Sequence, residues 1–188
     1  MKAVETIVIG CSTGGPGALA RLLGALDHRL PASVVVCSHA TSSPHSMCHL
    51  LAQHSTLPVI EACEREPLRG GMVQVAPPDY HLLIERGRRF ALSVDEPVGF
   101  SRPSIDVLFG SAAEACGEGL IAVILTGANA DGAAGLACVR RAGGAAIVQQ
   151  PDDAAAPAMP RAALELAGAD HCVALDEMAS LINRLCMT

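Results

Sequence analysis

The chain has 188 residues, of which 51% are hydrophobic and 17% charged, with a formal net charge of −6. Residues 1–188 are therefore expected to form one globular domain that buries roughly 70% of its unfolded surface, which excludes a disordered chain or one needing a disulfide or metal to hold its core. The acidic balance excludes nucleic acid as a partner, because phosphate contacts need a basic patch. No apolar run approaches the ~20 residues that cross a bilayer, and the first residues lack the form of a signal peptide. A cytoplasmic protein without membrane insertion is expected.

The first run, "ETIVIGC" (5–11), is short, β-branched and continuously apolar, as in a buried parallel strand. Pro16 near a first helical position introduces "GALARLLGALD", which has helical period. "SVVVCSH" (33–39) reads as a second strand and "PHSMCHLLAQH" (44–54) as a second helix. From Pro58 to about Phe100 the character changes. The pieces "PVIE", "MVQVAP", "HLLIE" and "FALSV" are separated by turn-rich connections and predict antiparallel strands at one edge of a sheet. Strict alternation then returns: helix "SIDVLFGSAAEACG", strand "GLIAVILTG", helix "DGAAGLACVRRAGG", strand "AAIVQQ", helix "PAMPRAALELAG", strand "HCVALD" and helix "EMASLINRL". This order predicts an α/β fold, doubly wound, with a mostly parallel sheet, helices on both faces and an antiparallel hairpin region at one edge.

Eight cysteines stand at positions 11, 37, 48, 63, 116, 138, 172 and 186, with no C-x-x-C pair. Several lie in apolar strands or helices, where Cys acts as a small hydrophobe, so free reduced thiols are expected. His45, Cys48, His49 and His54 cluster in the second helix, with His45 and His49 on one face. No second ligand pair stands at suitable spacing elsewhere, and no metal or cofactor is expected.

The glycine-rich loop "GCSTGGPG" admits three readings. A P-loop needs a lysine after its last glycine, where Pro16 and Gly17 stand. A dinucleotide fingerprint needs glycine where Ser12 stands. The third is G-x-S-x-G, matched by Gly10, Ser12 and Gly14 between a strand and a helix, the setting of a nucleophile elbow. An ordinary βα turn with an unremarkable serine remains open beside it.

A nucleophilic serine needs a base, and the base needs an orienting group. His39 ends the second strand and would share the sheet edge with Ser12. His28, His45, His49 and His54 fall in loops or on a helix, and His81 and His171 at strand starts. Asp131 follows the strand "GLIAVILTG" and opens a helix, where it would alternatively serve as an N-cap. Asp106 in helical sequence and Asp79 in the "PPDY" turn are its rivals. The order Ser, His, Asp differs from the Ser, Asp, His of the α/β-hydrolases.

Six segments in order, "VIGCSTGGPGAL", "VVVCSHA", "VAPPDYHL", "SRPSIDVLFGSAA", "AVILTGANADGAAGL" and "AMPRAAL", resemble the chemotaxis protein-glutamate methylesterases of the CheB type. The resemblance implies a serine carboxylesterase hydrolysing γ-glutamyl methyl esters on the cytoplasmic helices of methylated chemoreceptors, releasing methanol, with deamidation of receptor glutamines in many members. By matching motif, Ser12 would be the nucleophile, His39 the general base and Asp131 its orienter. The backbone N–H groups of Thr13 and Ala128 would hold the oxyanion.

Some residues depart from the family pattern. Ala128 and Asn129 stand where Met and Gly are usual in L-T-G-M-G-x-D-G, and Asn129 is tolerable there if its φ is positive. The segment after His39 lacks the usual aromatic and arginine, which bears on receptor recognition. The first strand begins close to Met1, so the usual receiver domain is not expected. That leaves a stand-alone enzyme or a piece of a longer one, and regulation by a partner acting in trans. Two other functions fit the same residues: a non-catalytic receptor-binding or regulatory module, and an esterase for another small ester.

Overall fold

The computed structural model describes residues 3–39 and 44–187, the side chains of residues 44–46 excepted. Among the described residues, seven strands form a parallel sheet in the order β3-β4-β2-β1-β7-β8-β9. They are β1 (Thr6–Cys11), β2 (Ser33–Ser38), β3 (Val59–Glu61), β4 (Val73–Val75), β7 (Leu120–Ile124), β8 (Ala145–Gln149) and β9 (His171–Val173), while β5 (His81–Ile84) and β6 (Phe90–Ser93) form a separate antiparallel pair. The helices are α1 (Gly15–Ala25), α2 (Pro44–His54), α3 (Ile105–Cys116), α4 (Ala133–Arg141), α5 (Ala158–Leu166) and α6 (Leu175–Cys186). Among the described residues, no helix is long and apolar enough to cross a membrane.

The doubly wound sheet and the antiparallel pair agree with the sequence expectation, but the middle segment is divided differently. Among the strands of the described residues, only β5 and β6 pair antiparallel. β3 and β4 run parallel to their neighbours, and β4 inserts between β3 and β2. The hairpin packs on α3 rather than extending the sheet: Leu82, Ile84 and Phe90 are buried with Leu108, Phe109 and Ala112. The last strand is also shorter than "HCVALD", because α6 already begins at Leu175.

The pleat of β1 divides the core. Ile7, Ile9 and Cys11 face the α1, α2 and α6 side, whereas Val8 faces the side covered by α3, α4 and α5. Burying side chains of the Val and Ile type fully stabilises the fold by ~1.5–3 kcal/mol each. Gly10 and Ser12 share the parity of Val8, so the serine emerges on the α3/α4 side. β1 is also where strand order reverses, with β2 on one flank and β7 on the other. Open α/β sheets place their clefts outside the carboxyl ends of strands at such a reversal.

Candidate active site

Ser12 follows β1 directly, and both glycines of its motif have a physical reason. A Cβ on Gly10 would stand 2.4 Å from Ile105 Cγ2, so only glycine lets the first turn of α3 sit against β1. Gly14, at φ 78°, is the left-handed N-cap of α1, and a Cβ there would come within 2.9 Å of Ala155 Cβ. The Ser12 N–H donates to Thr126 O at 2.9 Å, and Ser12 O accepts from Gly15 N at 2.8 Å. The Thr126 hydroxyl, which sequence reasoning did not single out, donates to Thr13 O at 2.9 Å and accepts from Ala156 N at 2.8 Å. It fastens the elbow to the end of β7 and to the loop before α5.

The strand register sets His39 beside this serine. β1 and β2 pair from Thr6 with Ser33 up to Cys11 with Ser38, and the His39 N–H donates to Cys11 O at 3.3 Å. Ser12 and His39 therefore stand on neighbouring chains, which in a sheet lie about 4.8 Å apart. His39 Nε2 is 2.7 Å from Asp131 Oδ2, with the two side chains only 10% and 4% exposed, so water screens the pair little. Among the described residues no hydrogen bond links Ser12 Oγ to His39. The second ring nitrogen, Nδ1, lies 3.3 Å from Asn129 Nδ2.

Asp131 does not cap its own helix. The N-cap of α4 is Gly132, and Asp131 instead accepts from the start of α3: Ile105 N at 2.7 Å on Oδ2, Asp106 N at 2.9 Å and the Ser104 hydroxyl at 2.9 Å on Oδ1. Asp106 returns the arrangement, its Oδ1 accepting from Gly132 N at 3.0 Å and Gly135 N at 2.6 Å at the start of α4. Each carboxylate thus binds the positive end of the other's helix. Burial works against a charge on Asp131. The bonds from His39, from the Asp106 and Ile105 N–H groups and from Ser104 outweigh that burial and hold its carboxyl below the usual range. Asp106 is raised, chiefly by burial, with the charge of Asp131 adding to it against the two glycine N–H bonds. Asp131 is the carboxylate kept ionised. A further partner lies behind it, since buried His81 accepts from Ser104 N at 3.2 Å through Nδ1 and donates from Nε2 to Glu96 O at 3.0 Å.

The N–H groups of Thr13 and Ala128 are set by their neighbouring carbonyls. In a trans peptide C=O and N–H point in opposite directions. Ser12 O is tied to the start of α1, and Gly127 O accepts from Met159 N at 2.9 Å at the start of α5. The Thr13 and Ala128 N–H groups point away from those helices, and among the described residues neither is donated. Both residues are exposed. Asn129 does not have a positive φ, so the condition for its tolerance through the left-handed region is not met.

The remaining candidates lie elsewhere. Cys11 is fully buried on the opposite face of β1, and burial pushes its thiol up to about 12 against an opposing hydrogen bond with Ser38. It is no thiolate at neutral pH. All eight cysteines are free. The side chain of His45 and residues 40–43, where the chain departs from the family pattern after His39, lie outside the described residues. His49 Nε2 bonds the Gln53 amide at 3.0 Å. Among the described residues no cluster of three or more His, Cys, Asp or Glu could hold a metal.

Comparison with known proteins meets this geometry over almost the full chain. The family model described as CheB methylesterase matches residues 7–182. A Leptospira interrogans protein, provisionally named protein-glutamate methylesterase/protein-glutamine glutaminase, is 44% identical over 182 residues, covering 96% of this chain and 94% of its own. The Treponema pallidum protein-glutamate methylesterase/protein-glutamine glutaminase is 41% identical over 187 residues, covering 97% of this chain but 46% of the relative. The crystal structure of the Thermotoga maritima CheB methylesterase catalytic domain superposes with a TM-score of 0.92 at 32% identity, covering 97% of this chain and 99% of that one. Sheet, elbow and flanking loops lie inside these matched regions, and the chain belongs to the CheB methylesterase family.

Proposed function

We propose that this chain is a serine carboxylesterase that hydrolyses γ-glutamyl methyl esters on chemoreceptor helices, with Ser12 as nucleophile, His39 as base and Asp131 as its orienter. The observation that carries this reading is the buried 2.7 Å contact between His39 Nε2 and Asp131, one strand spacing from an elbow serine. Asp131 accepts from Nε2–H, which leaves the Nδ1 lone pair as the base. Ser12 Oγ attacks the ester carbonyl carbon while its proton passes to Nδ1. Asp131 balances the imidazolium, and the Thr13 and Ala128 N–H groups bind the developing oxyanion. Collapse of the tetrahedral adduct expels the methoxy oxygen, which takes the proton from Nδ1 and leaves as methanol. Water, deprotonated by the same nitrogen, then cleaves the glutamyl–Ser12 ester and regenerates both side chains. The same machinery would deamidate a glutamine with ammonia as leaving group, in keeping with the second half of the relatives' names.

Methylated receptor membranes incubated with the protein test this reading. Methanol release from the membranes, with slow turnover of simple methyl esters, supports it. Turnover of small esters alone would favour an esterase of other specificity. No hydrolysis of either would favour a non-catalytic binding module.

A further inference from the structure

Asn129 makes two side-chain hydrogen bonds, and together they fix its orientation. Its Oδ1 accepts from Asp131 N at 3.1 Å, and its Nδ2 lies 3.3 Å from His39 Nδ1. A backbone N–H can only donate, so the amide oxygen must face Asp131 and the NH2 must face the imidazole. An NH2 group can only donate in turn, so Nδ1 of the resting ring presents its lone pair and the proton sits on Nε2, facing Asp131. Asp131 alone suffices to set that tautomer. What Asn129 adds is a donor on the one lone pair that the Ser12 hydroxyl needs.

We infer that Asn129 is a positioning residue that restrains the His39 base. Its amide occupies Nδ1 in the resting protein and must leave before Ser12 can be deprotonated. When the Ser12 O–H bond breaks and the Nδ1–H bond forms, both nitrogens of the contact carry protons, and the amide can no longer donate to the ring. Asn129 thus favours neutral His39 and opposes the imidazolium that attack produces. This restraint rests, for its catalytic consequence, on the esterase reading, whereas the contact itself does not.

Two variants separate restraint from mere support of the turn. Asn129→Asp keeps an oxygen for Asp131 N–H and exchanges the donor for an acceptor. Asn129→Ala removes both bonds. The probe is a fluorophosphonate, with the labelling rate at Ser12 followed against pH. Loss of one competing hydrogen bond should speed labelling of Asn129→Ala about three- to tenfold. Asn129→Asp, whose carboxylate supports a protonated ring, should show its rate profile displaced to higher pH. A residue that only supports the turn predicts the reverse: a slower Ala variant and an Asp variant that matches wild type. Either result overturns the proposal. The ¹⁵N signal of His39 Nδ1 in the neutral ring gives a readout independent of activity. It should move downfield on Asn129→Ala, as for a pyridine-type nitrogen that has lost a donor, and an unmoved signal also overturns the proposal. A signal that moves on Asn129→Ala, together with a wild type that neither labels nor releases methanol, would refute the esterase reading while upholding the Asn129–His39 contact.

Discussion

Replacing Asp131 by Asn removes a charge and almost no volume, and the structure sets the expected cost. Four donors converge on the two carboxylate oxygens: His39 Nε2 and Ile105 N on Oδ2, Ser104 Oγ and Asp106 N on Oδ1. Whichever oxygen becomes NH2, it faces one backbone N–H that cannot turn away. An unsatisfied buried donor costs ~1–3 kcal/mol, so urea unfolding should show a loss of that size. With NH2 in the Oδ2 position, His39 must also move its proton to Nδ1 and ceases to be a base. With NH2 in the Oδ1 position, the ring keeps its tautomer but loses the charge that balances the imidazolium. A fall in kcat of roughly 10³–10⁴ is expected. Because the folded carboxyl lies below its usual range, the stability it confers is full above about 3.9 and is lost as pH falls through the folded value. The wild-type advantage over the variant should narrow there. An Asp131→Asn variant that loses the expected stability but turns over within tenfold of wild type would show that Asp131 only joins two helices, refuting its role as orienter.

Other variants probe neighbouring claims. Asp106→Asn should cost little at neutral pH or even stabilise, because both glycine N–H bonds end on Oδ1 and the repulsion with Asp131 disappears. Its raised folded carboxyl means that wild-type stability falls as pH rises from about 3.9 through the folded value, so the variant's relative stability should rise over that window in urea titrations. Gly10→Ala places a methyl 2.4 Å from Ile105 Cγ2 and should destabilise by ~1–3 kcal/mol in the same assay. Cys11→Ala should keep most activity, since its thiol lies on the opposite face from Ser12. Abolished turnover in a folded Cys11→Ala protein would reopen the choice of nucleophile. His39→Ala and Ser12→Ala should each lower kcat by roughly 10³–10⁶, and the double variant by little more; purely additive losses would separate the two residues.

How far the sequence discloses this site depends on the range of the interaction. Gly10, Ser12 and Gly14 are legible because an elbow is local, its glycines answering to contacts at one strand end. His39 is legible because a residue ending a parallel strand must lie on the same edge as another strand's end. Asp131 is legible in position and in its pairing with His39, but not in its remaining partners. Its place before α4 suggests a cap, while its other bonds are to the start of α3, a consequence of helix packing that spacing does not carry. The strands β3 and β4 are three residues each, too short for periodicity to distinguish parallel from antiparallel pairing. Asn129 stands out in sequence only as an unusual loop residue. Its contact with the imidazole depends on where β2 delivers His39.

Methanol release from methylated receptor membranes by wild type and Ser12→Ala, assayed side by side, tests the central claim most directly. Wild type should release methanol, and the folded Ser12→Ala protein should do so at least ~10³-fold more slowly. Equal release by the two proteins would contradict Ser12 as the nucleophile.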